Sequence, residues 1–148
     1  MTNQFPILQP VACMFTLTAV VWVWMYALRL PYILRSRIEL QSVATSETLH
    51  AALPARLNLP SHNLKNLFEL PVVFYALCIL LFVTGRVDDF YLYGAWVFVV
   101  LRVLHSLVHC TVNRVSWRFA AYFLSSLVLW MMVGRFGFQA FFQVPLAL

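Results

Sequence analysis

The chain has 148 residues, of which 63% are hydrophobic and only 10% charged. A soluble domain carries about 25% charged residues, so this chain cannot cover itself with polar surface in water, and its length allows one domain lying mostly inside a bilayer. The formal charge of +5 is modest and the basic residues are scattered, which points to membrane topology and site chemistry and away from nucleic acid.

Four apolar segments each approach the roughly 20 residues that a spanning helix needs. The first covers about residues 7–34, with the uncharged centre "VACMFTLTAVVWVWMYAL". It exceeds a signal-peptide core, has no basic region before it and is followed by no small-residue cleavage site. A polar connection over about 36–65 comes next, with Pro54 and Pro60 in it and a short helix expected around "TSETLHAAL", capped by Thr45 or Ser46.

The second segment, about 67–85, is "LFELPVVFYALCILLFVTG", and the short turn "RVDD" leads to the third, about 91–112. The link "NRVS" then opens the fourth, about 117–142. The apolar runs are continuous and do not alternate, so each is a helix and not a barrel strand. The expectation is an all-α bundle of four transmembrane helices forming a single domain over residues 1–148, with the last three antiparallel to their neighbours. Cys13, Cys78 and Cys110 lie in apolar segments, an odd count that speaks for buried thiols over disulfides.

Arg35, Arg37, Arg56 and Lys65 lie on the first connection, with Arg114 and Arg118 at the third. The positive-inside rule therefore puts these connections in the cytoplasm and both termini on the other side. Any site near them opens to cytosolic solutes.

The third segment contains "LRVLHSLVHC", a cation and two histidines where a charge costs roughly 2.5–3.5 kcal/mol. Arg102, His105 and His109 share one helix face, as do Asn63, Asn66 and Glu69 on the second segment. For a hairpin turning at 87–88, Asn66 lies level with His109 and Glu69 level with His105. Glu69 is then the best-placed carboxylate to pair with Arg102. Such a pair can simply fix helix register, but Lys65, Asn66, His109, Arg114 and Arg118 add more polar groups at one face than register needs. His105 and His109 also have a metal-ligand spacing. The cation beside them opposes it, and no metal is expected.

At these residues the sequence resembles the MAPEG family, the membrane-associated proteins of eicosanoid and glutathione metabolism. The resemblance rests on "NLFE" (Asn66, Glu69), on "RVLH" (Arg102, His105), and on Arg118 and Tyr122, with separations like those of the prostaglandin synthase member. It implies a homotrimer with glutathione bound between subunits. By position, Asn66, Glu69, His105 and Tyr122 would hold the tripeptide, with Lys65 and His109 beside them. Arg118 would stabilise the thiolate, and Arg35, with Arg37 as its rival, would line the site. A guanidinium suits that role, because a thiol of pKa about 8.5 is mostly protonated at neutral pH.

The chain departs from the prostaglandin synthase at His109 (tyrosine there), Phe119 (serine), Lys65 and His62 (arginines) and in the earlier Pro71, which argues against prostaglandin synthesis. The implied activity is glutathione-dependent transferase or peroxidase chemistry on lipophilic small molecules that partition into membrane lipids. The alternative is a non-catalytic binding or scaffold protein on the same fold.

Overall fold

The computed structural model describes residues 3–142, and every regular element among them is helical. A 3-10 turn at Phe5–Ile7 leads into α1 (Leu8–Arg35). After a second 3-10 turn at Leu40–Val43 come α2 (Ser46–Ala52), α3 (Ala55–Leu67), α4 (Leu70–Val83), α5 (Asp89–Cys110) and α6 (Val115–Phe141). Four stretches are long and apolar enough to cross a membrane: Phe5–Arg35, Ala55–Val83, Asp89–Cys110 and Val115–Phe141. The protein is a multi-pass membrane bundle.

Thr45 caps α2 reciprocally: its hydroxyl accepts the Thr48 amide and the Thr48 hydroxyl accepts the Thr45 amide, each at 3.2 Å. The polar connection is shorter than the sequence suggests. It ends at Pro54, because α3 continues the second span towards that face. A helix this polar is tolerated because its neighbours satisfy it. Arg29 of α1 donates from Nη2 to Asn58 Oδ1 at 2.9 Å and from Nε to the Leu57 carbonyl at 3.4 Å. On the other flank, Ser106 of α5 donates to Asn63 Oδ1 at 3.3 Å, and Asn63 Nδ2 donates to Cys110 Sγ at 3.5 Å.

The most extensive pairing is α5 on α6, and α1 lies mainly along α3. Gly94 permits the α5–α6 approach, since a Cβ there would sit 2.9 Å from the buried Met132 sulfur. Phe74 of α4 stacks on Phe98 of α5 with centroids 4.5 Å apart, at the centre of the apolar core. In lipid such packing is held by close contact and hydrogen bonds, since lipid tails are as apolar as the core. The outer faces display Phe15, Trp22, Ile79, Val100, Phe119 and Trp130, a surface for lipid or a neighbouring subunit.

An ion pair closes the end of the bundle where α5 begins. Asp88 caps α5 by accepting the Tyr91 amide at 3.1 Å, and Arg135 of α6 grips both carboxylate oxygens, at 2.9 and 2.5 Å. The same guanidinium lies 4.6 Å from the Phe90 ring centroid and 4.7 Å from that of Tyr91. Burial works to raise the Asp88 carboxyl, but the Arg135 hydrogen bond and charge, with the Tyr91 and Phe90 amides, outweigh it and hold it below its ordinary value. Stability from a lowered carboxyl is complete above the unfolded value of about 3.9 and is lost as pH falls through the folded one. Asp88→Asn keeps a good cap and removes the charge. It should lower the melting temperature at neutral pH, with the gap to wild type closing below about pH 4. A gap that stays constant through acid titration would rule out the ion pair as its source.

Candidate functional site

Pro71 shapes the site. It has no amide hydrogen, and its ring would clash with the carbonyl of residue 67 in a continuous helix, so α3 stops at Leu67 and α4 starts afresh at Leu70. Glu69 between them has φ −97° and ψ −103°, outside the helical region. Its carboxylate is thereby directed to α6, where the Tyr122 hydroxyl donates to Oε2 at 3.2 Å.

Arg102, His105 and His109 line one face of α5 and are all buried. After α5 the chain turns through Asn113, whose φ of +48° is left-handed, and its amide returns to the Val108 carbonyl at 2.7 Å. That turn brings Arg118, in the first turns of α6, back over the histidines.

The result is a closed hydrogen-bonded set. His105 donates from Nδ1 to the Arg118 carbonyl at 2.8 Å, which leaves its Nε2 as an acceptor. That nitrogen takes Asn66 Nδ2 at 3.3 Å and His109 Nδ1 at 3.5 Å, two long approaches to one lone pair. His109 in turn accepts Arg118 Nη1 on Nε2 at 3.0 Å, and Nη1 also donates to Asn113 Oδ1 at 2.6 Å. This pattern assigns both imidazoles as neutral. Nε and Nη2 of Arg118 have no acceptor among the described residues.

Arg102 is placed differently from expectation. It forms no ion pair with Glu69. Its guanidinium lies 4.4 Å from the Tyr122 ring centroid and 5.3 Å from that of Phe98, and none of its three nitrogens has a hydrogen-bond partner. The helix break turns Glu69 towards solvent or lipid, where its carboxylate takes the Tyr122 hydroxyl. The hairpin register also differs by about one turn. With α4 ending at Val83 and α5 starting at Asp89, the bend centres on residue 86, so Asn66 meets His105 and not His109.

Seven residues singled out from the sequence thus gather at one end of the bundle: Asn66, Glu69, Arg102, His105, His109, Arg118 and Tyr122. Arg35 and Lys65 do not join them. Both are exposed, and their side chains make no hydrogen bond or ion pair among the described residues. Sequence reasoning missed Asn113, although an asparagine in a four-residue link between helices is a ready left-handed residue. It also missed Arg29, a cation inside the first apolar segment whose partner Asn58 donates onward from Nδ2 to the His50 carbonyl at 2.9 Å. Burial first, then the charges of Arg29, His62 and Lys65, hold the His50 imidazole below its ordinary value.

Four spanning helices with an Arg–His–His–Asn set and a Tyr–Glu pair at one end define a polytopic membrane protein with an ionisable cluster in its bundle. The MAPEG family model matches residues 7–138. The chain belongs to the MAPEG family, membrane proteins of glutathione and eicosanoid metabolism. No curated protein and no solved structure matches it.

Proposed function

We propose that the protein is a glutathione-dependent transferase or peroxidase acting on lipophilic electrophiles dissolved in the bilayer. The observation that carries this reading is the state of Arg118. Its guanidinium is tied down through Nη1 alone, so a fixed cation keeps two nitrogens with hydrogens to spare beside membrane-embedded walls. A fixed guanidinium favours thiolate over thiol and costs little reorganisation when charge appears. The thiolate sulfur then bonds to the electrophilic carbon as the leaving group departs with the electron pair. With a hydroperoxide it bonds to the terminal oxygen as the O–O bond breaks, and the alkoxide leaves with the electron pair and takes a proton from water. A second glutathione displaces water from the resulting sulfenic acid to give the disulfide.

Asn66, Glu69, His105, His109 and Tyr122 would hold the peptide part of glutathione, its ammonium suiting Glu69. Exposed on the single chain, Arg35 and Lys65 fit carboxylate contacts made across a subunit boundary in a homotrimer. The site would open to the cytoplasm. A scaffold reading has one observation in its favour: Arg118 is already bonded within its own chain, as a packing residue would be.

Turnover of 1-chloro-2,4-dinitrobenzene or cumene hydroperoxide with glutathione, read beside the ultraviolet thiolate band in a difference spectrum, separates the two. The enzyme should show the band at neutral pH together with turnover. Glutathione binding with neither band nor turnover would establish the scaffold, and absence of glutathione binding would assign the cluster to another anionic ligand.

A further inference from the structure

We infer that Asn113 is a positioning residue: its left-handed turn and its side-chain oxygen together set where the Arg118 guanidinium points. The inference rests on the thiolate-stabilising role proposed for Arg118 and extends it to a residue in the link between α5 and α6.

Two nearly independent restraints meet at one atom, Arg118 Nη1. Asn113 Oδ1 accepts from it at 2.6 Å, the shorter of its two bonds, and His109 Nε2 at 3.0 Å. A charge-assisted bond to a neutral amide oxygen orients the cation without neutralising it, unlike a carboxylate. His109 orients it less firmly, because beyond packing its ring is held by a long 3.5 Å contact to His105. Asn113 is better anchored. Its amide closes on the Val108 carbonyl at 2.7 Å, and its φ of +48° is one that asparagine adopts far more readily than most residues. The backbone of Arg118 is fixed as well, through its carbonyl on His105 Nδ1. The only freedom left lies in the long side chain, and Asn113 removes it.

The left-handed backbone allows a clean test. Asn113→Gly keeps that conformation without strain and deletes only the acceptor. Asn113→Asp keeps an acceptor oxygen. With glutathione and 1-chloro-2,4-dinitrobenzene, Asn113→Gly should lower kcat about tenfold, since small misplacements of a catalytic group carry losses of that order or more. Its KM for glutathione should hardly change, and the thiolate band should titrate at higher pH. Asn113→Asp, whose carboxylate orients the guanidinium but offsets part of its charge, should recover only part of the band. A wild-type band and kcat in Asn113→Gly, or equal loss in both variants, would overturn the inference.

The contact itself can be read without glutathione. In protein carrying nitrogen-15 arginine, the Arg118 guanidinium signal, assigned by its loss in Arg118→Leu, should show slow rotation in wild type and averaging in Asn113→Gly. Averaging in wild type would overturn the inference. Slow rotation in a protein that forms no thiolate would uphold the contact and refute the functional reading instead.

Discussion

Arg118→Leu is expected to lower turnover by about two orders of magnitude, the scale seen when one donor to a developing anion is removed, while glutathione affinity falls far less. In the proposed site the guanidinium would act on charge at sulfur, whereas Asn66, Glu69, His105 and Tyr122 would hold the peptide, so the loss is expected in kcat. The thiolate band should move to higher pH with it. Two side effects can be separated from that result. His105 bonds the Arg118 carbonyl, which any side chain at this position retains. His109 loses the donor on Nε2, and Arg118→Lys, which keeps a donor but no planar fork, should recover part of the band. Equal losses in affinity and turnover would show that Arg118 binds glutathione without activating it.

Tyr122→Leu should destabilise the fold by about 3 kcal/mol, and Arg102→Met in the same chain should restore much of this. The Tyr122 ring is the nearer of two aromatic faces around a guanidinium that is fully buried and has no hydrogen-bond partner. A desolvated cation–π contact is worth about 2 kcal/mol or more, and truncating the ring removes packing besides. Once the face is gone the buried cation has little to stabilise it. Replacing it by an apolar side chain of similar volume is then neutral or favourable. Tyr122→Phe, which keeps the face and loses the bond to Glu69, should cost only about 1 kcal/mol. Thermal unfolding in detergent supplies the cycle, with coupling between Tyr122 and Arg102 expected to exceed that between Glu69 and Arg102. The reverse ordering would restore the direct ion pair that the sequence suggests.

That difference shows which parts of the site are legible in a one-dimensional reading. Segment lengths and continuous apolar runs are enough for four spanning helices, and a helix period is enough to put Arg102, His105 and His109 on one face. Depth arithmetic across the hairpin then brings Asn66 and Glu69 to the right height within a turn. It says nothing of rotation. Glu69 is turned towards Tyr122 by a break at Pro71, a local backbone event with no bearing on height. A search for opposite charges also passes over Arg102 against two π faces, since an aromatic residue in a membrane helix looks like lipid-facing surface. Asn113 escapes notice for a third reason: its role depends on a left-handed φ and a shared donor, and both exist only after the link has folded.

The interruption between α3 and α4 also bears on how the chain enters the membrane during synthesis. Past the break, α4 has 14 residues, about 21 Å of helix against a hydrocarbon core of about 30 Å. The remaining depth, about 9 Å or six residues, falls to the end of α3, which brings Asn66 into it with Asn63 at its edge. Along α3, Asn63 finds partners in Ser106 and Cys110 and Asn66 in His105, all on the following span, while Asn58 bonds Arg29 of the preceding span and the His50 carbonyl. The amides of α3 are therefore fully satisfied only once both neighbouring spans are in place. A lesion in Arg29 or Ser106 is then expected to lower the yield of folded protein before it alters chemistry.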